Sequence, residues 1–394
     1  MLTLKILFWA CLLIVFYTYI GYGILLYILI RLKRLFKGKP LKTALPSDGE
    51  LPTMTLMICA YNEEDVVAEK MENTLALDYP KDKFRIMWVT DGSNDRTNEL
   101  LGAYPEVDVV FSPERKGKTA ALKHGLRELQ TRYVAFTDAN TMINPGALRE
   151  IARLFMDSTV GCVSGEKRVA ARKKGEMAAE GEGLYWKYES TLKKWDSELY
   201  STMGAAGELY AIDPTLVREV PDEALLDDFM MSMYIVDDGR RIAYTPDAYA
   251  QEYGSANIHE ESKRKRRIAA GGLQSIWWLR SMLNPFRQPI VAFQYISHRV
   301  LRWSVTPVAM VLLLLFNIAL VLMDAGTFYA VMLILQVLFY LMAFAGWLQN
   351  RYGHKNRLLY TAYYFVFMNL NVFRGMAYLR SHGKSGAWEK AKRS

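Results

Sequence analysis

The sequence predicts an α/β domain with a mostly parallel sheet, set between segments that cross a membrane. Three observations predict it. From about residue 52 onward, short apolar runs alternate with helix-period stretches, the pattern of strands joined by crossover helices. Strongly apolar stretches flank that region on both sides. Acidic residues recur just after the apolar runs, where the strands of such a sheet end and where its ligands bind.

The elements follow in order. The chain has 394 residues, a net charge of +8 and 51% hydrophobic residues, room for one large domain plus membrane segments. Residues Leu4 to Ile30 form an apolar run long enough for a tilted crossing of a bilayer core about 30 Å thick. The run exceeds the apolar region of a signal peptide and lacks a small-residue cleavage site. A transmembrane helix is therefore expected over 1–31, followed by a basic linker over 32–51. The cluster RLKRLFKGKPLK marks its side as cytoplasmic and suits anionic headgroups of the membrane lipids.

Within a domain expected over 52–284, TMTLMICA, FRIMWVT, VDVVFS, YVAFTDA and VGCVSGE read as buried strands. DVVAEKMENTLA, DRTNELLGA, KTAALKHGLREL and GALREIARLFM between them carry helical periodicity. Longer amphipathic helices begin near Met177, followed by a strand-like RIAYTPDAYAQEY and a basic helix from about His259 to Leu283. Residues 285–303 are amphipathic and aromatic, as in a helix lying in the membrane interface. Two or three spans are expected over 304–380: Ser304–Met323, Phe328–Leu348 and a more polar Leu358–Leu379. Asn369, Asn371 and Arg374 interrupt the last, which points either to a bundle interior or to an arginine snorkelling from a helix end. The tail over 381–394 is basic, yet three full spans would place it outside. The charge rule and the span count conflict there. Cys11, Cys59 and Cys162 lack metal-ligand spacing and read as small core residues.

The candidate chemistry lies at the predicted strand ends. Asp91, before GSND, can accept hydrogen bonds from a ribose or base, or simply open a turn. Asp138 and Asn140 present two oxygens at one strand end, suited to a divalent cation shared with phosphate oxygens, or to an Asx turn. Asp227 and Asp228 open a helix whose next turn is apolar. They either cap its dipole or supply a desolvated general base. Arg264 and Arg267 share a helix face, so their guanidinium groups suit a diphosphate or an anionic membrane surface. RKGKT is no P-loop, since Ser112 stands where the first glycine is required; Lys118 can still reach a phosphate from a helix N-terminus. HEESK lacks the second histidine of a zinc peptidase, and the basic charge beside the membrane argues against nucleic acid.

Together and in this order, the segments resemble the membrane-bound family-2 glycosyltransferases, the group of cellulose, chitin, hyaluronan and poly-N-acetylglucosamine synthases. The likeness runs from about Pro52 to Leu283. ICAYNEE, with Ala60, Tyr61, Asn62 and Glu63, resembles the nucleotide-sugar loop, and VTDGSNDRT the uridine-binding segment. GKTAALKHG, FTDAN, GAAGELYAI (Gly204, Gly207 and Glu208 on the acceptor side), LLDDFMMS and RKRRIAAGG resemble the motifs that follow.

The resemblance implies a GT-A fold and an inverting transfer from a nucleotide-diphosphate sugar, with UDP-sugar the expected donor. It implies Mg²⁺ or Mn²⁺ at Asp138 and Asn140, Asp91 and Asp138 on the nucleotide and its metal, Asp228 as base and Arg267 on the diphosphate. Asp227 stands beside the acceptor. A membrane-associated glycan in polysaccharide synthesis is the first expected acceptor, with export or assembly partners. A polyprenyl-phosphate lipid receiving one sugar is the alternative, and a non-catalytic membrane scaffold the alternative of another class. Three positions depart from the pattern: Arg264 replaces Gln, Ile268 replaces the Trp that lines the acceptor site of processive synthases, and Asn140 replaces a second Asp. Trp277 and Trp278 could offer a substitute platform or anchor the helix at the headgroups.

Overall fold

In the computed structural model, residues 1–39, 43–170, 177–253, 258–352 and 356–382 are described. Linker residues 40–42, the basic tail from 383 onward and the side chain of His259 lie outside them.

A mixed, mostly parallel sheet of eight strands forms the centre. Its strands are β1 (Met54–Ala60), β2 (Phe84–Asp91), β3 (Val107–Ser112), β4 (Tyr133–Asp138), β5 (Met142–Ile143), β6 (Val160–Ala170), β7 (Leu209–Ile212) and β8 (Arg241–Tyr253), in spatial order 3-2-1-4-7-6-8-5. β1 lies parallel to both β2 and β4, and β2 parallel to β3. The five apolar runs read as strands form β1, β2, β3, β4 and β6. β7 was not legible as a strand, and it runs antiparallel to β4 and β6, interrupting the parallel order. All seven residues of β1 are buried, as expected of a strand covered on both faces.

Helices α1 (Leu2–Phe16) and α2 (Tyr22–Lys37) join through a π-helical turn at Tyr17–Gly21. Helices α3 (Val67–Leu75), α4 (Thr97–Leu101), α5 (Lys118–Arg127) and α6 (Ala147–Phe155) accompany the sheet. Then come α7 (Met177–Leu199), α8 (Asp227–Asp237) and α9 (Ile258–Trp278). The expected interface helix is α10 (Pro289–Tyr295), but it continues through π-helical Ile296–Val305 into α11 (Thr306–Leu322). His298, Arg299 and Arg302 in that π segment are buried and bond Glu189 and Asp196 of α7.

Helices α12 (Thr327–Arg351) and α13 (Arg357–His382) follow. Among the described residues, three helical stretches are long and apolar enough to cross a membrane: Leu2–Lys37, Pro289–Leu322 and Thr327–Arg351. α13 is not among them, because polar residues break its apolar run. Asn369 accepts a 2.7 Å hydrogen bond from Tyr19, and the exposed Arg374 donates to Ser262 of α9. Gly375 sits so close to α9 that a Cβ would lie 2.8 Å from the Ala270 backbone.

Candidate active site

Parallel register sets the site. β1 ends at Ala60 opposite Thr90, and Cys59 pairs with Asp138, so Asp91 and Asp138 flank the end of β1 on either side. The loop after β1 is held open at that edge. Asn62 takes a left-handed φ of 53°, and its backbone N–H donates to Ser93 while its amide exchanges bonds with Asn94. The Glu63 N–H donates to Thr97. Across this edge the Arg115 guanidinium lies 3.8 Å from the centre of the Tyr61 ring, a cation–π contact.

Asp91 is buried and accepts from the backbone N–H groups of Lys116 (2.9 Å) and Gly117 (2.6 Å). Its carboxylate therefore anchors the loop that opens α5. Lys118, the first residue of α5, points across the strand ends and bonds Asp138 Oδ1 at 2.8 Å. Burial would lower its pKa, but Asp138, Asp227 and Asp228 outweigh it and hold the ammonium above the ordinary lysine range. This one lysine links the carboxylate of β4 to the acidic pair opening α8. Below it, Lys70 of α3 is buried and donates to the Thr141 carbonyl at 2.5 Å; burial pushes its pKa down to about 7.

The acidic pair divides in two. Asp227 is buried, and among the described residues its Oδ2 has no hydrogen-bond partner. Asp228 Oδ1 accepts from the Phe229 N–H at 2.8 Å, at the N-terminus of α8. Burial and the adjacent Asp227 charge push its pKa up to about 7, against the pull of Lys118. Its other oxygen faces Gly207: a Cβ there would lie 2.6 Å from Oδ2. Gly204 has φ +92°, and a Cβ would meet the Phe229 ring at 2.2 Å. Both glycines let the acceptor-side loop lie directly against the residues that follow Leu226.

Glu208 accepts from Lys167 of β6 (2.5 Å) and from Arg264 of α9 (3.0 Å). Burial opposes its ionisation, yet these cations hold its carboxyl well below the usual range. Arg264 also reaches Glu252 at 3.3 Å, and Glu252 in turn pairs with Lys167. Arg267 donates to the Leu225 carbonyl, just before Asp227. The distant acids and arginines thus meet around one edge of the sheet. Trp277 is exposed beside Arg280 at the end of α9, and Trp278 packs on the core, so neither faces this edge.

Sequence reading missed Lys167, Glu252 and Lys193. Lys193 is only 6% exposed and makes no hydrogen bond or ion pair among the described residues. Burial lowers its pKa, and it lies in the fields of Arg299, Glu189, Glu208 and Asp228. Its one signal in the sequence is position: four residues after Glu189, it shares that helix face.

No group of three His, Cys, Asp or Glu side chains suited to a metal occurs among the described residues. Asp138 and Asn140, at and just past the end of β4, offer a few hard oxygen atoms, one of them, Asp138 Oδ1, held by the Lys118 ammonium. That set fits a Mg²⁺-like cation which completes its shell with diphosphate and water.

The family model for "Glycosyl transferase family 2" matches residues 55–212. The chain is 26% identical to the beta-monoglucosyldiacylglycerol synthase of Trichormus variabilis over 57% of its own length and 50% of that protein. It is 34% identical to the poly-beta-1,6-N-acetyl-D-glucosamine synthase of Staphylococcus aureus over 30% of each chain. The chain spans about half the length of the first of these relatives and less of the second. A mannosyltransferase of Pyrobaculum calidifontis, solved with GDP-Man and Mn²⁺, superposes with a TM-score of 0.70 over 97% of this chain and 100% of that one, at 23% identity. That match supports the GT-A architecture of the sheet. Residues 55–212 thus match the family-2 glycosyltransferase model, in a chain whose described residues include three helical stretches that could cross a membrane.

Proposed function

We propose that the protein moves a sugar from a nucleotide-diphosphate sugar, UDP-linked in the first instance, to a hydroxyl of a membrane-associated acceptor. The observation that carries this reading is Asp228: a carboxylate pushed up to about 7 beside Gly207, facing a strand edge that holds Asp91, Lys118 and Asp138. A base whose pKa lies near the working pH transfers protons most effectively.

The acceptor oxygen forms its bond to the anomeric carbon as the bond from that carbon to the diphosphate oxygen breaks. The electron pair leaves on the diphosphate, and the hydroxyl proton passes to Asp228. Attack opposite the leaving group inverts the anomeric centre. Lys118, Arg264 and Arg267 face the departing charge; fixed cations aimed at charge that forms in the transition state are among the strongest catalytic terms. Asp138 and Asn140 would hold a divalent cation, which when bound neutralises diphosphate oxygens. The loop from Ala60 to Glu63, with Asp91, would seat the nucleoside.

Purified protein incubated with labelled nucleotide sugars, Mn²⁺ and a membrane lipid extract tests this. Transfer of label to an organic-soluble or polymeric product is expected, and its loss is expected when Asp138 is replaced by Ala. Absence of both transfer and donor hydrolysis with every nucleotide sugar would overturn the reading.

A further inference from the structure

A cavity of about 330 Å³ lies where α9, the π segment Ile296–Val305, α13 and the π turn of the first membrane helix meet. Ile268, Phe365 and Met368 give it apolar walls, while Lys265 and Arg302 bring two cations into them. Both are buried: Lys265 lies 3.3 Å from Glu261, and Arg302 2.8 Å from Glu189. Buried cations in an apolar cavity are costly and mark functional positions in membrane proteins.

Trp303 connects this cavity to the transfer site. It lines the cavity, packs over Gly272 of α9 and meets the Phe229 ring edge-on at 5.1 Å. Phe229 follows Asp228. Ile268 lines the same cavity from α9.

We propose, resting on the glycosyltransferase reading, that this cavity holds the acceptor as an anionic lipid, its chain against Ile268, Phe365 and Met368 and its phosphate beside Lys265 and Arg302. The attacking hydroxyl belongs to a polar headgroup that extends from the phosphate past Trp303 to Asp228. Two points separate phosphate from nucleophile. The indole lines the cavity on one side and packs on Phe229, the neighbour of Asp228, on the other, and a phosphate oxygen, already ionised, needs no base to attack. The acceptor class is therefore a phospholipid or lipid-linked sugar with at least one free hydroxyl beyond its phosphate.

Binding to the full-length protein in detergent tests this, read by native mass spectrometry. The probes are a polyprenyl phosphate, the matching polyprenol, dioleoylglycerol and inorganic phosphate. The polyprenyl phosphate is expected to bind about ten-fold or more tighter than either neutral lipid, and inorganic phosphate not to compete. Ile268→Trp, which fills the cavity, is expected to abolish lipid binding and transfer while UDP binding and donor hydrolysis persist. Met368→Trp, from the opposite wall, is expected to act alike if Ile268→Trp does not fold. The double change Lys265→Gln with Glu261→Gln, which leaves neither charge stranded, is expected to erase the preference for phosphate. Equal binding of charged and neutral lipids, or transfer undiminished with the cavity filled, overturns the proposal while leaving the donor reading intact. Loss of donor hydrolysis in the wild-type protein would instead strike at the reading beneath it.

Discussion

At the scale of single residues, the proposed function makes Asp228 the base that sets the rate. With its pKa raised to about 7, it is protonated and inactive as a base below that pH and ionised above it. Transfer should therefore rise about ten-fold per pH unit below 7 and level off above, in a pH–rate profile of kcat/KM. A flat profile from pH 5 to pH 8 would show that another group takes the proton. Gly207→Ala would push a methyl group against Asp228 Oδ2. A displacement near 1 Å costs on the order of 100-fold in rate, so kcat should fall steeply with little change in thermal midpoint. Lys193 invites the opposite comparison. Its side chain is buried and makes no hydrogen bond among the described residues, an unfavourable state for a charge. Lys193→Met should raise the melting temperature in detergent while lowering transfer; a melting temperature several degrees lower would mean that its fields from Glu189 and Glu208 outweigh burial.

At the scale of elements, one polar cluster couples the membrane helices to the catalytic domain. Glu189 of α7 accepts from Arg299 (2.7 Å) and Arg302 (2.8 Å), and His298 bridges Glu189 to Asp196, which also takes the Tyr22 hydroxyl. Burial opposes the charge on Glu189, but these cations hold its carboxyl well below the ordinary range. Removing one partner of a buried pair strands the rest, at roughly 3–5 kcal/mol. Glu189→Ala should therefore lower the thermal midpoint sharply, whereas a shift of under a degree would show the cluster to be structurally idle. This cluster also explains what could and could not be read from the sequence. β1, β2 and β4 were legible because strands covered on both faces read as continuous apolar runs. β7 was not, since four residues, Leu209–Ile212, carry too short a pattern to separate from a loop. His298, Arg299 and Arg302 read as the polar face of an interface helix because their partners lie on α7, about a hundred positions earlier. Lys193 and Lys167 were silent for the same reason: a lysine reads as surface until its neighbours across the fold are known. The acids and glycines of the site were legible because turn chemistry and strand ends are local features. Arg264 lies on α9, a helix legible in the sequence, but its bonds to Glu208 and Glu252 depend on β6, β7 and β8 closing beside it.

At the scale of the whole molecule, a donor site that draws on cytoplasmic nucleotide sugars, as the proposed function requires, would put the sheet on the cytoplasmic face and the α11–α12 turn on the other. All three native cysteines are buried, so single introduced cysteines report orientation cleanly. A cysteine at the exposed Asp324 in that turn should react with an impermeant maleimide on intact cells, and one at the exposed Glu72 only after permeabilisation. The reverse pattern would put the donor site on the wrong side for nucleotide sugars. In the proposed function, acids and guanidinium groups from distant segments serve one transfer, with Asp228 moving the proton. The most direct measurement pairs UDP binding by calorimetry with label transfer to lipid in Asp228→Asn against the wild-type protein. The expected result is UDP affinity within about two-fold of wild type and transfer reduced on the order of 100- to 10,000-fold. Transfer that persists undiminished in Asp228→Asn would contradict it.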